Sequence, residues 1–159
     1  MSSQFLQTQH LMSQSALQLE RYFFIKVQIE AMQKCAPGAQ STVQTKLEVG
    51  KNAEENRYMV ALTINLAASE GQLPPYTGEI VVVGFFIVLD GFPKDDKDRL
   101  VGVNGASILY GAARELIINT TARGPWPPVV LPCMNFQASE PQTESAPLRE
   151  VAPATQSRF

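Results

Sequence analysis

Residues 107–124, SILYGAARELIINTTARG, predict one long helix with two apolar sides. One arc follows the i, i+3, i+4, i+7 spacing of a helix that packs on a core, and it comprises Ala106, Leu109, Tyr110, Ala113, Leu116 and Ile117. A second apolar strip lies opposite and comprises Ile108, Ala112, Ile118 and Ala122. One sheet covers only one side of a helix, so the second side requires a partner, most simply the same helix of another copy of the chain.

Three segments upstream of this helix, residues 17–29, 43–49 and 58–66, alternate apolar and polar residues, which is typical of strands with one buried face. A fourth strand is predicted at residues 76–89. In the first, the buried face is predicted to hold Leu17, Leu19, Phe23, Ile25, Val27 and Ile29. A crossover is expected after the first strand, and a hairpin between the second and third. Four strands followed by one helix predict an α+β fold: a four-stranded antiparallel sheet backed by one long helix.

The fourth strand is apolar on both faces, because its later half reads IVVVGFFIVL from residue 80 to residue 89. Such a strand is covered on both sides, either by its own chain or by another. We therefore expect part of it to join the helix in an oligomer interface. The predicted interface residues are Ile108, Ala112, Leu116, Ile118, Ile80 and Val82.

The two ends of the chain are predicted to lie outside the domain, which would span residues 15–136. Residues 1–14 are rich in Gln and Ser and read as a flexible arm, and residues 137–159 are too polar to bury a core and read as a disordered tail. The N-terminus lacks the basic and apolar regions of a signal peptide, and no apolar run is long enough to span a bilayer. A cytoplasmic location without membrane insertion is the expectation.

Charge and side-chain chemistry disfavour several classes of function. A net charge of -2 and a pI of about 5.4 argue against a nucleic-acid partner. His10 is the only histidine and falls in the predicted arm, so neither histidine-based catalysis nor a histidine metal site is expected. Cys35 and Cys133 have no CxxC spacing and read as reduced thiols. We expect no enzyme activity, no metal and no cofactor.

Three aromatic residues stand at the boundaries of the predicted elements: Tyr76, Trp126 and Phe136. Trp126 is flanked by prolines, which limit how far it can fold away from solvent. These residues either edge the core or line an exposed apolar groove for an extended peptide, in which aromatic side chains bind without sequence specificity. Both interpretations remain open from the residues alone.

The segment SILYGAARELIINTTARGPWPPVVLPCMNF resembles the corresponding segment of the SecB family of bacterial export chaperones. The residues that agree in ungapped register are Ile108, Leu109, Ala113, Arg114, Glu115, Arg123, Gly124, Pro127, Leu131, Asn135 and Phe136. Weaker agreement extends the resemblance to residues 15–136. It implies a homotetramer, built as a dimer of dimers with helices between two sheets. It also implies an ATP-independent holdase that keeps preproteins unfolded and competent for export through the Sec pathway.

The resemblance also implies two kinds of site. Positions that match the family's client groove are Leu47, Val49, Tyr76 and Phe136, to which we add Trp126 for its expected exposure. Positions that match the acidic contact with a SecA-type translocase motor are Glu30 and Glu79, whereas Lys26 stands where a third acid is expected. The family's acidic C-terminal helix is not recognisable, so the motor contact is expected to be weak.

Two further functions compete with general export. A SecB-like chaperone can be dedicated to a toxin-antitoxin pair, with an antitoxin as its client. Alternatively, the chain could be a structural subunit whose apolar surfaces serve only to oligomerise. A client-binding chaperone leaves apolar surface exposed in the assembled oligomer, whereas a structural subunit buries it.

Overall fold

Four antiparallel strands form one sheet in the computed structural model of the chain, which describes residues 13–52, 56–91, 93 and 96–136. The strands are β1 (Leu17–Ala31), β2 (Thr42–Asn52), β3 (Arg57–Ala67) and β4 (Tyr76–Val88). Their order across the sheet is β1-β4-β3-β2. Most of the predicted arm and the whole predicted tail, residues 1–12 and 137–159, lie outside the described residues.

The connections between the strands agree with the prediction. β1 and β2 occupy opposite edges of the sheet, so residues 32–41 cross its end, as expected for a crossover. β2 and β3 pair as a hairpin from Thr42 opposite Ala67 to Asn52 opposite Arg57. β4 then pairs with both β3 and β1, which makes it an interior strand.

A single continuous helical segment follows the sheet. It comprises α1 (Lys97–Leu100), one π-helical stretch (Val101–Gly105) and α2 (Ala106–Thr121). The junctions keep right-handed helical dihedrals, so the axis is not broken there. The predicted α+β fold is confirmed. No helix among the described residues has both the length and the apolar content needed to cross a membrane.

The core lies between α2 and one face of the sheet. Its largest fully buried members include Tyr58, Val60, Leu62, Ile64, Ile80, Val82, Phe86, Leu109, Ile117 and Leu131. Gly84 permits this close packing, because a Cβ atom there would lie 2.8 Å from Leu109 Cδ2. Ile80 and Val82 are fully buried within the single chain, so these two predicted interface residues offer no side-chain surface to a partner.

Two irregularities in β1 change which residues face the helix. The pairing with β4 shifts between Leu19 and Arg21 and again between Phe24 and Lys26. Each shift adds an unpaired residue, and an extra residue reverses the alternation of faces beyond it. The helix-facing residues of β1 are therefore Leu17, Leu19, Tyr22, Phe24, Val27 and Ile29. The prediction was wrong for Phe23, which pairs with Val83 on the outer face, and Ile25 is unpaired at the second shift.

Candidate functional site

Tyr76 fixes the turn that follows α2. The ring is buried, and its hydroxyl oxygen lies 3.1 Å from the carbonyl oxygen of Thr121 and 2.9 Å from that of Trp126, the two acceptors within reach of its proton. The same hydroxyl accepts a hydrogen bond from the Trp126 amide at 3.2 Å. Gly124 is required beside it, because a Cβ atom there would lie 3.0 Å from Tyr76 Cε1 and closer still to the hydroxyl oxygen. Tyr76 is therefore a buried residue whose hydrogen bonds stabilise the turn, and it is not an open contact surface.

Trp126 is half-buried and bridges the turn to the start of the crossover. Its indole Nε1 donates a hydrogen bond to the carbonyl oxygen of Met32 at 2.8 Å. The crossover is held on its other side by backbone hydrogen bonds from Met32 to Pro75 at 3.0 Å and from Ala36 to Leu73 at 3.1 Å. The helix turn, the crossover and the β3–β4 connection thus meet at one end of the sheet.

An open depression of about 460 Å³ lies at this junction. Its lining residues are Glu30, Ala31, Met32, Gln33, Lys34 and Leu73. Leu73 is 49% exposed and adds apolar surface to the depression. Sequence reasoning missed Met32 and Leu73, because both lie in connections where apolar periodicity gives no signal. Their association depends on long-range hydrogen bonds, from the Trp126 indole to the Met32 carbonyl and from the Ala36 amide to the Leu73 carbonyl.

The segment after the helix returns along α2. Thr121 Oγ1 accepts from the Val129 amide at 2.9 Å, and the Tyr110 hydroxyl donates to the Pro132 carbonyl at 2.7 Å. Phe136 then packs edge-on against the Tyr110 ring at 5.6 Å between centroids. Burial raises the pKa of Tyr110 above its ordinary value. Phe136 is buried too, so it presents almost no surface to a client.

The five predicted client residues fall into two groups. Tyr76 and Trp126 are in direct contact at the crossover end. Leu47 and Val49 lie on the helix-facing side of β2, at the level where β3 meets Val82 and Gly84 of β4. Six residues of β4 separate Tyr76 from that level, which corresponds to about 20 Å along a strand. Val49 is exposed and Leu47 half-buried, whereas Phe136 belongs to the same buried core cluster that Leu47 contacts.

The two predicted motor-contact acids lie on the outer face of the sheet, as expected, but neither carboxylate is isolated. Glu79 forms an ion pair with Lys26. Glu30 accepts a hydrogen bond from Gln28 Nε2 at 2.9 Å. Lys26 therefore neutralises Glu79 directly, in addition to sharing a face with Glu30.

The helix exposes part of its second apolar strip. Ile108 is 41% exposed, and Ala112 and Ile118 are half-buried. Leu116 is also half-buried, but it packs against the core of its own chain. On the helix-facing side of β1, Tyr22 and Val27 remain exposed as well. This side of the molecule thus presents apolar surface from two neighbouring elements.

The described residues offer no cluster suited to metal binding: nowhere among them do three His, Cys, Asp or Glu side chains come together. Cys35 and Cys133 are free thiols, and Arg114 Nη1 lies 3.8 Å from Cys133 Sγ. Residues 102–105, GVNG, precede α2, where a glycine-containing loop could bind an anion through its backbone amides, but they lie inside the helical segment and do not form a loop.

Comparison with known proteins agrees with this geometry. The family model of the preprotein translocase subunit SecB matches residues 12–144. The protein-export protein SecB of Halorhodospira halophila is 30% identical over 130 residues, which cover 76% of this chain and 75% of the relative. The protein-export protein SecB of Neisseria meningitidis serogroup B is 31% identical over 106 residues, covering 65% of this chain and 71% of the relative.

The fold is shared with a SecB-like chaperone of Mycobacterium tuberculosis that was solved in complex with an antitoxin peptide. The TM-score is 0.61 at 18% identity, and the match covers 75% of this chain and 91% of the other. The predicted α+β fold and the predicted family are both confirmed. With a family match across most of the domain and a relative aligned over three quarters of its length, the chain belongs to the SecB family.

Proposed function

We propose that this protein is an ATP-independent holdase of the cytoplasm that keeps preproteins unfolded for export through the Sec pathway. The observation that carries the proposal is the open depression beside Trp126, where Ala31, Met32 and Leu73 leave apolar surface exposed. Membership of the SecB family supports a role in protein export. Residues 102–105 are helical and therefore do not form a phosphate-binding loop.

The depression suits an unfolded chain better than a folded one. It is open, and Ala31, Met32 and Leu73 give it aliphatic and thioether groups, which adapt to side chains of different shape. The polar side chains of Glu30, Gln33 and Lys34 line the rest. An unfolded segment exposes consecutive apolar side chains, whereas a folded protein has buried most of its own. Binding therefore distinguishes the two states through apolar surface that only the unfolded state can present.

We propose further that the chain assembles as a tetramer, a dimer of dimers, through its helix-facing side. Ile108, Ala112 and Ile118 on α2 and the exposed Tyr22 and Val27 on β1 form the surface that a second copy would cover. An apolar surface of this kind is typical of permanent subunit contacts. The depression lies at the end of the sheet, and burial of the helix would leave it open.

We expect Leu73→Ala and Trp126→Ala each to weaken the binding of an unfolded client. Each substitution removes an apolar contact at or beside the depression, and loss of an anchoring side chain costs ~1–3 kcal/mol, or roughly 5- to 150-fold in Kd. The measurement is fluorescence anisotropy with a dye-labelled, reduced and carboxymethylated protein that cannot refold.

Leu89→Ala is the matched control for Leu73→Ala. Leu89 is 38% exposed but follows β4 at the opposite end of the sheet, where its amide bonds to the Ala16 carbonyl. We expect this variant to bind like the wild type. Equal affinities for the Leu73 and Leu89 variants would show that the depression does not bind clients, and no binding by the wild type would contradict the holdase proposal itself.

A chaperone dedicated to a toxin-antitoxin pair is the second candidate, and the ion pair between Lys26 and Glu79 favours it. An acidic outer face steers a basic partner, but a paired carboxylate contributes little to that field. A weak contact with a SecA-type motor follows. The Mycobacterium tuberculosis chaperone that shares this fold was solved with an antitoxin peptide, which supports an antitoxin as the alternative client.

Lys26→Asp is expected to strengthen the binding of a SecA-type motor. The substitution releases Glu79 from its ion pair and adds a further negative charge to the same face. Because steering acts on the association rate and is screened by salt, the gain in association rate should be largest at low ionic strength. Surface plasmon resonance at two salt concentrations measures it.

Lys46→Asp is the control, because Lys46 pairs with Glu48 on the opposite edge strand, far from Glu79. Neither variant should alter client binding. If the wild type binds the motor tightly and Lys26→Asp leaves that affinity unchanged, Lys26 does not weaken the motor contact. That result would support general export. Undetectable motor binding with intact client binding would favour the antitoxin-dedicated role.

A further inference from the structure

A second apolar surface lies on the face of the sheet opposite the helix. Phe23 pairs with Val83, and Met59 pairs with Phe85. The ring centroids of Phe23 and Phe85 are 6.1 Å apart, and Phe23 and Met59 remain 43% and 42% exposed. These four residues together with Arg21 form the outer-face patch. Contiguous exposed apolar surface of this kind marks interaction sites.

Arg21 gives the outer-face patch its charge. Its guanidinium carbon lies 4.8 Å from the centroid of the Phe85 ring, a cation–π contact. No ion pair joins Arg21 to another residue in the described part of the chain. The adjacent carboxylate of Glu20 is already engaged, since it lies 3.6 Å from Arg57. The patch therefore carries a positive charge that forms no ion pair with any described residue and can bind a carboxylate of a partner.

The depression and the outer-face patch lie on one continuous surface. Glu30 lines the depression and also belongs to the outer face of β1, where it pairs with Thr77. Seven residues of β1 separate Glu30 from Phe23, a distance of about 23 Å along the strand. An extended polypeptide of seven or eight residues spans it, so a chain that leaves the depression reaches the patch without crossing an edge of the sheet.

We propose that the outer-face patch is a second client-binding surface that selects apolar segments carrying a carboxylate. The inference rests on the proposed holdase function and extends the client path beyond the depression. Client side chains pack on Phe23, Met59 and Phe85, and an acidic client residue pairs with Arg21. Arg, Phe and Met are residue types enriched at the centres of protein interfaces. A basic segment is disfavoured, because its charge meets Arg21.

Methyl-labelled methionines report on the two surfaces separately, since Met59 lies in the patch and Met32 lines the depression. The probes are two twelve-residue peptides of Leu, Phe, Ser and Gly, one with a central Glu and the other with Lys in its place. We expect the Glu peptide to shift the Met59 methyl resonance with a Kd roughly two- to fivefold lower than that of the Lys peptide, the range of one exposed ion pair. Arg21→Gln should abolish this preference, whereas Lys46→Gln, on the same face at the far edge, should retain it.

The outcomes separate this inference from the proposed function. If the peptide shifts the methyl resonance of Met32 but not that of Met59, the patch is not a second binding surface, although the holdase proposal stands. The same holds if the Met59 resonance responds equally to both peptides and is unaffected by Arg21→Gln. A shift of the Met59 resonance alone supports binding at the patch and contradicts binding at the depression, and no shift at either methionine contradicts both. If dilution or deletion of residues 2–12 moves Met59 without peptide, a second copy or the chain's own N-terminal segment occupies the patch, and the proposal is wrong.

Discussion

Ile108→Asp is expected to dissociate the tetramer. The wild type should scatter light with a mass of four chains of 17.5 kDa each, and the variant should give a smaller species at the same micromolar concentration. Ile108 is 41% exposed in the single chain, so the substitution does not disturb the internal core. In an assembled helix interface the carboxylate would be dry and unpaired, at a cost of several kcal/mol for each copy.

Met59→Asp is the matched control, because Met59 is 42% exposed but lies on the outer face of the sheet. It introduces the same charge at the same exposure and should leave the tetramer intact. Circular dichroism checks that both variants fold. A wild-type monomer would refute the assembly, and dissociation by Met59→Asp alone would place the contact on the outer face. Leu116→Asp is less informative, since Leu116 packs on the core of its own chain.

The fold was predictable because its signals are local and repeated. Alternation over β2 and β3 and the apolar run of β4 predicted those strands within a few residues, and the Gly-Pro sequence after α2 predicted where that helix ends. β1 was predictable as a strand, but the side chains of β1 that face the helix were not, because a hydrophobicity pattern cannot show which residue a bulge leaves unpaired. Phe23 was consequently assigned to the core, although it contributes to the outer-face patch.

The candidate site was less predictable, because its residues come from connections between elements. Trp126 could be singled out from its prolines, but its acceptor on Met32 depends on the path of the crossover. Tyr76 was predicted as a contact surface, whereas the structure uses its hydroxyl to satisfy buried backbone groups. A tyrosine at an element boundary fits both roles, and only the position of its hydroxyl partners decides between them.

Gly124→Ala is expected to destabilise the turn after α2 and displace Trp126. The new Cβ atom would lie 3.0 Å from Tyr76 Cε1, and the ring must move to make room. Movement breaks the hydrogen bonds of the Tyr76 hydroxyl to Thr121 and Trp126, and overpacking together with lost buried hydrogen bonds costs about 2–3 kcal/mol. Urea denaturation measures the loss. Trp126 is the only tryptophan, so a red shift of its emission reports its displacement directly.

Tyr76→Phe tests whether the clash with Tyr76 is the cause. Alone it should cost ~1–3 kcal/mol, because backbone groups of Thr121 and Trp126 lose their partner. Combined with Gly124→Ala it should cost less than the sum of the two, since removing the hydroxyl relieves the shortest contact. Gly50→Ala is the control: its Cβ atom would lie 3.5 Å from Met59 Cε, an ordinary contact, so stability should stay the same or rise slightly. Strict additivity of the first two substitutions would show that Gly124 is required for another reason, and that the Tyr76 hydroxyl does not position Trp126 beside the depression.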